Sequence, residues 1–177
     1  MKSKWTVIEV LQQSRHDWLN QLQLIKGNLA LGKKERAEEV IEEVVAQMRQ
    51  ESRLTNLKLP KFALMLLTHN WEGHHFQVKY EILEQNGPLF FNDECLTAWM
   101  RSLFNELDQA YEPMNDNYLY VGIHVNDGKL RLQLHLTGII KDIPRIKKWL
   151  TCHKDKVEQV SFQKNDETDI QVEAIFK

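Results

Sequence analysis

Apolar side chains at Ile8, Leu11, Trp18, Leu22, Ile25 and Leu29 recur in steps of three and four, with Arg15 alone interrupting them. That period predicts an amphipathic helix from about Trp5 to Leu31, closed by Gly32 in the left-handed conformation, after which Lys33-Lys34 makes a tight turn. A second apolar series, Ala37, Val40, Ile41, Val44, Val45 and Met48, is interleaved with Glu35, Glu38, Glu39, Glu42 and Glu43, which predicts a return helix with a solvated acidic face. So short a connection makes the two helices an antiparallel hairpin. One hairpin cannot bury its own long apolar stripe, and pairing two of them into a four-helix bundle is the simplest way to cover it. The alternative is that the hairpin docks on the rest of the chain.

The texture changes at Leu59-Pro60, because the residue before a proline is pushed away from helical geometry. The expected domains are therefore 1–59 and 60–177. In the second, Lys61 to about Asn70 reads as a short helix, Phe76 to Leu83 alternates as a strand, and Asn86-Gly87-Pro88 turns the chain. Asn92 or Asp93 is placed to cap a helix whose inner face carries Leu96, Trp99, Met100, Leu103, Phe104 and Leu107. Tyr118 to Val125 and Leu130 to Leu136 flank Asn126-Asp127-Gly128-Lys129, a strong hairpin signal. A helix over Lys141 to His153 and two closing strands, Val157 to Phe162 and Thr168 to Phe176, complete the set. The chain as a whole reads as α+β, its second domain an α/β sandwich with one helical layer on a largely antiparallel sheet.

Composition narrows the functions open to such a protein. With 177 residues, 42% hydrophobic and 27% charged, there is room for one full domain and a smaller helical module. A net charge of −2, without a basic cluster, argues against nucleic acid as a partner. The lack of an apolar run near 18 residues argues against a membrane span, and the amphipathic start is unlike a secretory leader, so a cytoplasmic protein is expected. Cys95 and Cys152 share no C-x-x-C spacing and are assigned no role.

The chemistry lies off the stripe of the first helix. At about 100° per residue, His16 points roughly 140° from the stripe's centre and Asn20 roughly opposite it. Both are expected to face solvent while Trp18 and Leu22 pack inward. The run Arg15-His16-Asp17-x-x-Asn20-x-Leu22 resembles the H-box of the dimeric histidine kinases, whose reactive histidine sits on the outer face of a paired hairpin. In the second domain, Leu103-Phe-Asn-Glu-Leu-Asp-Gln-Ala110 is similar to that family's N-box. Asn105 and Ala110 match it. Gln109 stands where the family has a magnesium-holding asparagine, and its extra carbon would misplace a ligand in near-octahedral geometry. After Leu136 the chain reads Thr137-Gly138-Ile139-Ile140 instead of D-x-G-x-G, and none of its seven glycines forms a G-x-G pair that would let backbone approach a triphosphate. The second domain thus reads as a degenerate histidine-kinase ATPase domain, with no cofactor or metal expected on this chain.

A histidine-bearing dimer fused to such a domain resembles the sporulation initiation phosphotransferases of endospore-forming bacteria. The resemblance implies that His16 accepts a phosphoryl group from the aspartate of one receiver-domain response regulator and passes it to the aspartate of a second. The protein would be a homodimer, with Mg²⁺ brought by the receiver. Arg15 would stabilise phosphoryl charge or lie in the dimer interface, Asp17 would set the imidazole tautomer, and Asn20 would contact the imidazole or a phosphoryl oxygen; for the last two, a plain solvating role stays open. The competing readings are a sensor histidine kinase that uses ATP at a divergent site, and a dimeric scaffold that binds a response regulator without chemistry. His69, His74 and His75 lack a neighbouring cysteine or carboxylate in ligand spacing, which argues against a metal site, and His124 and His135 are expected on the sheet's solvent face.

Overall fold

In a computed structural model that describes residues 5–87, 89, 91–164 and 169–176, the chain forms two compact units, Met1–Arg53 and Leu54–Lys177. The first is the hairpin. Helix α1 spans Val7–Ala30 and α2 spans Lys34–Asn56. A reciprocal capping box starts α1: Thr6 Oγ1 accepts from the Glu9 amide, and the Thr6 amide donates to Glu9 Oε2 at 2.9 Å. Gly32, at φ 71°, ends it. The Lys33 amide reaches back to the Asn28 carbonyl and the Gly32 amide to that of Leu29, the paired bonds of a Schellman closure that only a residue tolerant of positive φ makes cheaply. Lys34 already belongs to α2, so the turn is shorter than the two lysines suggested.

The second unit runs in the order α3 (Pro60–His69), β1 (Gln77–Asn86), α4 (Asp93–Ala110), β2 (Tyr118–Asn126), β3 (Lys129–Thr137), α5 (Ile143–Cys152), a single 3₁₀ turn, β4 (Gln159–Lys164) and β5 (Asp169–Phe176). Pro60 occupies the first turn of α3, where its missing amide costs nothing. Asn92 caps α4, its side chain accepting from the Cys95 amide at 3.0 Å. Thr168 and Pro88, which fell within the expected closing strand and turn, lie outside the described residues.

The five strands form one sheet in the order β1-β2-β3-β5-β4. Every pairing is antiparallel except β1 with β2. That parallel pair is forced by α4, since two strands joined through a crossover helix run the same way. The β2–β3 hairpin turns at Asp127 (φ 49°) and Gly128 (φ 78°), two consecutive positive-φ residues matching the right-handed twist of the strands. Strict alternation puts Leu119, Val121, Ile123 and Val125 of β2 and Leu130, Leu132, Leu134 and Leu136 of β3 on one buried face. They join α4's Leu96, Trp99, Met100, Leu103, Phe104 and Leu107 in the core, together with Leu54, Leu57 and Leu59 from the chain leading into α3. Each such side chain contributes about 1.5 to 3 kcal/mol on leaving water.

One polar side chain ties the ends of these elements together. Asn117 is buried, and its amide donates to the carbonyls of His75 and Glu112 while its Oδ1 accepts from the Ile139 amide at 2.9 Å. The carboxamide thereby satisfies three backbone groups, just before β1, just after α4 and at the exit of β3. Gly138, at φ 117°, passes so close that a Cβ there would lie 2.3 Å from Asn117 Oδ1. Gly138→Ala is therefore expected to destabilise the fold by about 3 kcal/mol, combining backbone strain with overpacking. Urea unfolding at 25 °C checks this, and an unchanged midpoint would contradict it.

Candidate functional site

His16 lies midway along α1 with its side chain 66% exposed. Among the described residues only Nδ1 is engaged: Asn20 Nδ2 is 3.3 Å away, one turn on, and Asp17 Oδ1 is at 3.4 Å. Asp17 Oδ1 also accepts from Gln13 Nε2 at 3.4 Å, so four side chains on successive turns form one open polar row. The two contacts at Nδ1 favour opposite tautomers. With the carboxylate accepting, the proton sits on Nδ1 and the Nε2 lone pair faces outward; with the carboxamide N–H donating, the proton sits on Nε2. The first state is a nucleophile pointed at solvent. Gln13 was missed in the sequence, although its i−4 spacing from Asp17 was the available signal. Arg15 is exposed beside the row, on the apolar side of the helix.

Asn20 faces solvent as expected. Trp18 and Leu22 do not pack inward within the chain: they remain 41% and 56% exposed, with Ile8, Leu11 and Leu29 similarly open. Not one residue of α1 is buried. The reason is rotational. The partly covered positions of α1, among them Val10, Ser14, Asp17, Gln21 and Asn28, form a line about 100° around the helix from the stripe's centre at Leu11, Trp18, Leu22 and Leu29. On the part of α2 within the hairpin unit the buried residues are Ala37 and Val40, while Ile41 and Val45 beside them stay exposed. The hairpin closes over a line adjacent to its most apolar one.

In the second unit, the side chains that correspond to N-box positions have other occupations. Arg145, at the start of α5, donates through Nε to Glu106 Oε2 at 2.6 Å and through Nη2 to Gln109 Oε1. Gly138, where the glycine box was sought, serves the approach to Asn117. Asn105 is exposed on α4.

The histidines near β1 need a correction. Two carboxylates meet His74, one distant and one local: His74 Nδ1 lies 2.5 Å from Asp108 Oδ2, on α4, and His74 Nε2 lies 3.2 Å from Oε2 of Glu72, a neighbour two residues back that was visible in the sequence. His74 is 6% exposed and stacks on His69 at 4.0 Å between ring centroids. Asp108 also accepts from the His75 amide at 2.9 Å. Desolvation works to lower the His74 pKa, but the hydrogen bonds and charges of Asp108 and Glu72 outweigh it and leave it raised. Burial, followed by the neighbouring His74 charge, pushes His69 down to about 4. The pair is thus one imidazolium clamped by two carboxylates on one neutral ring, which pins the α3–β1 connection to α4. Among the described residues no group of three or more His, Cys, Asp or Glu is arranged to hold a metal. His135 lies on the sheet face away from α4, bonded to Asp169 at 2.9 Å. His124 is more covered than expected there, its side chain 20% exposed.

Three comparisons bear on the chain. A family model described as sporulation initiation phosphotransferase B, C-terminal, matches residues 58–175, and one described as sensor kinase SpoOB-type, alpha-helical domain, matches residues 1–57. Sporulation initiation phosphotransferase B of Bacillus subtilis (strain 168) is 43% identical over 138 residues, covering 77% of this chain and 72% of that protein. Among solved structures, the Acinetobacter baumannii histidine kinase AdeS superposes with a TM-score of 0.44 at 9% identity, covering 91% of this chain and 97% of the other. A bacterial phosphotransferase gives 0.39 at 13% identity, covering 97% and 98%. No helix among the described residues is long and apolar enough to cross a membrane.

The two histidines of the buried stack titrate in opposite senses, which predicts the pH dependence of stability. His69 binds a proton near pH 6.5 when unfolded and only near 4 when folded, so stability falls as pH drops across that interval. The raised His74 contributes fully below 6.5 and loses its contribution as pH rises through its folded pKa. His69→Gln should flatten the acid limb and His74→Gln the alkaline limb of urea midpoints measured from pH 4.5 to 9. Unaltered slopes in both variants would contradict the assignment.

Proposed function

The chain belongs to the sporulation initiation phosphotransferase B family, and from that premise we propose that His16 is the phosphoacceptor of a phosphorelay between two response regulators. The observation that carries this reading is the exposed imidazole, engaged among the described residues at Nδ1 alone, on the side of α1 turned away from an open apolar stripe. A second copy of the chain covers the stripe, producing a four-helix bundle in which His16 stays on the outer surface, within reach of a receiver domain. The Nε2 lone pair attacks the phosphorus of an aspartyl phosphate in line. As the N–P bond forms, the acyl phosphate P–O bond breaks and the receiver's aspartate leaves as a carboxylate. The second step reverses these roles on another receiver.

Both donor and acceptor are high-energy species, so the chain's task is alignment and charge placement. Asp17, steadied by Gln13, holds the Nδ1 proton and favours the imidazolium-like charge that builds as Nε2 attacks. Asn20 orients the ring or meets a phosphoryl oxygen, and Arg15 offers positive charge to the transferring group. Magnesium belongs to the receiver, and no nucleotide enters the cycle. The site of action is the cytoplasm.

The test is to incubate the full chain separately with a ³²P-phosphorylated receiver domain and with labelled ATP. The expected result is an acid-labile, alkali-stable label from the receiver alone, abolished in His16→Ala and acquired about tenfold more slowly in Asp17→Asn, the cost of one charge-assisted hydrogen bond. Label from ATP would make the chain a histidine kinase. Absence of label from either, with the receiver still bound, would make it a scaffold.

A further inference from the structure

A phosphoryl group carried by one imidazole between two receivers must wait there, because two receiver domains cannot occupy the same side chain together. On the reading of His16 as the phosphoacceptor, the N–P bond stands in water during that interval, the side chain being 66% exposed. Its survival is decided at the other ring nitrogen. In hydrolysis water attacks phosphorus, the N–P bond breaks and its electron pair passes to Nε2. With a proton on Nδ1 the group that leaves is neutral imidazole; without one it is an imidazolate, a far poorer leaving group. A donor that takes up the Nδ1 lone pair in place of a proton therefore slows the loss of phosphate.

Nδ1 has two neighbours, and they act in opposite directions. Asp17 Oδ1, at 3.4 Å, accepts and favours the protonated ring, whereas Asn20 Nδ2, at 3.3 Å, donates and favours the bare lone pair. The same Asp17 oxygen also accepts from Gln13 Nε2, so it serves two donors. Among the described residues Asp17 is the only charged group that pairs with the ring, and no side chain of α2 bonds to it; Arg15 supplies the adjoining charge along α1. Because Nδ1 and Nε2 lie on opposite sides of the imidazole, a phosphoryl group on Nε2 leaves room for the Asn20 contact.

We propose that Asn20 is a positioning residue for the phosphorylated state: its Nδ2–H donates to Nδ1 of phosphorylated His16, keeps the ring neutral and preserves the phosphoryl group until the second receiver arrives. Phosphoramidate, which phosphorylates exposed histidine without any receiver, loads the full chain for the test. ³¹P NMR then follows the loss of phosphate, the His16 signal being the one absent from His16→Ala. At pH 8, Asn20→Ala should lose phosphate about fivefold faster than wild type, the worth of one net hydrogen bond, and Asn20→Asp at least as fast. Asp17→Asn, which removes the acceptor that favours the proton, should lose it more slowly. The gap between Asn20→Ala and wild type should narrow as pH falls toward 5.5 and the ring takes up its proton in both. A lifetime in Asn20→Ala equal to or longer than that of wild type would overturn the proposal. So would a ratio constant from pH 5.5 to 9, which would place Asn20 on a phosphoryl oxygen instead. A chain that gains no His16 phosphate from phosphoramidate would overturn it too, by showing that Nε2 is not free to attack. Failure of the relay itself is read separately, as absent transfer from a phosphorylated receiver to a chain that phosphoramidate still loads.

Discussion

A helix of 24 residues with no buried side chain is the constraint from which the rest of the account follows. α1 contributes no fully buried side chain in the single chain, yet it carries Leu11, Trp18, Leu22 and Leu29 on one line. A helix so placed gains little from tertiary packing, which is the usual source of helical stability. In the proposed dimer a second identical hairpin presents a matching stripe and covers it. Since the four side chains are already about half covered, completing their burial is worth about 1 kcal/mol each, repeated on both copies. The same rotation that turns the stripe toward a partner turns His16 away from it. The proposed dimerisation and the proposed phosphoryl access are two readings of one helical phase.

The second unit is organised by a different principle. Its core is a continuous apolar layer between α4 and the sheet, and its loops are fastened by a few buried polar clips. Asn117 spans three segments, and the His69–His74–Asp108 group fastens a fourth. These clips, with Arg145 drawn across Glu106 and Gln109, use the chain near α4's C-terminal half for structure. That allocation accords with the proposed placement of the chemistry on the hairpin.

Most of the architecture was legible in the residues because its signals were local. The heptad phase of α1, Gly32, the Pro60 boundary, the Asn92 cap and the Asp127-Gly128 turn each name their own structure. What the sequence concealed was long-range. Asp108 is 34 positions from His74, and only the fold brings it to that ring, whereas Glu72 lies two residues away. The parallel pairing of β1 and β2 depends on the path of α4, and Gly138's role depends on Asn117 across the sheet edge. Gln13 is a different case: its i−4 spacing from Asp17 is visible in the sequence, but it lies outside the run that resembles the H-box. At the site itself, His16, Asp17 and Asn20 come together as their i, i+1 and i+4 spacing requires, whereas Arg15 meets the others only through its place on the helix.

The central claim is that the open stripe of α1 is covered by a second copy of the chain. Sedimentation equilibrium at micromolar concentration tests it most directly. The account predicts a mass of about 42 kDa, twice the 21.0 kDa of the chain, falling to the monomer value in Leu22→Glu. A wild-type protein sedimenting at 21.0 kDa would contradict it.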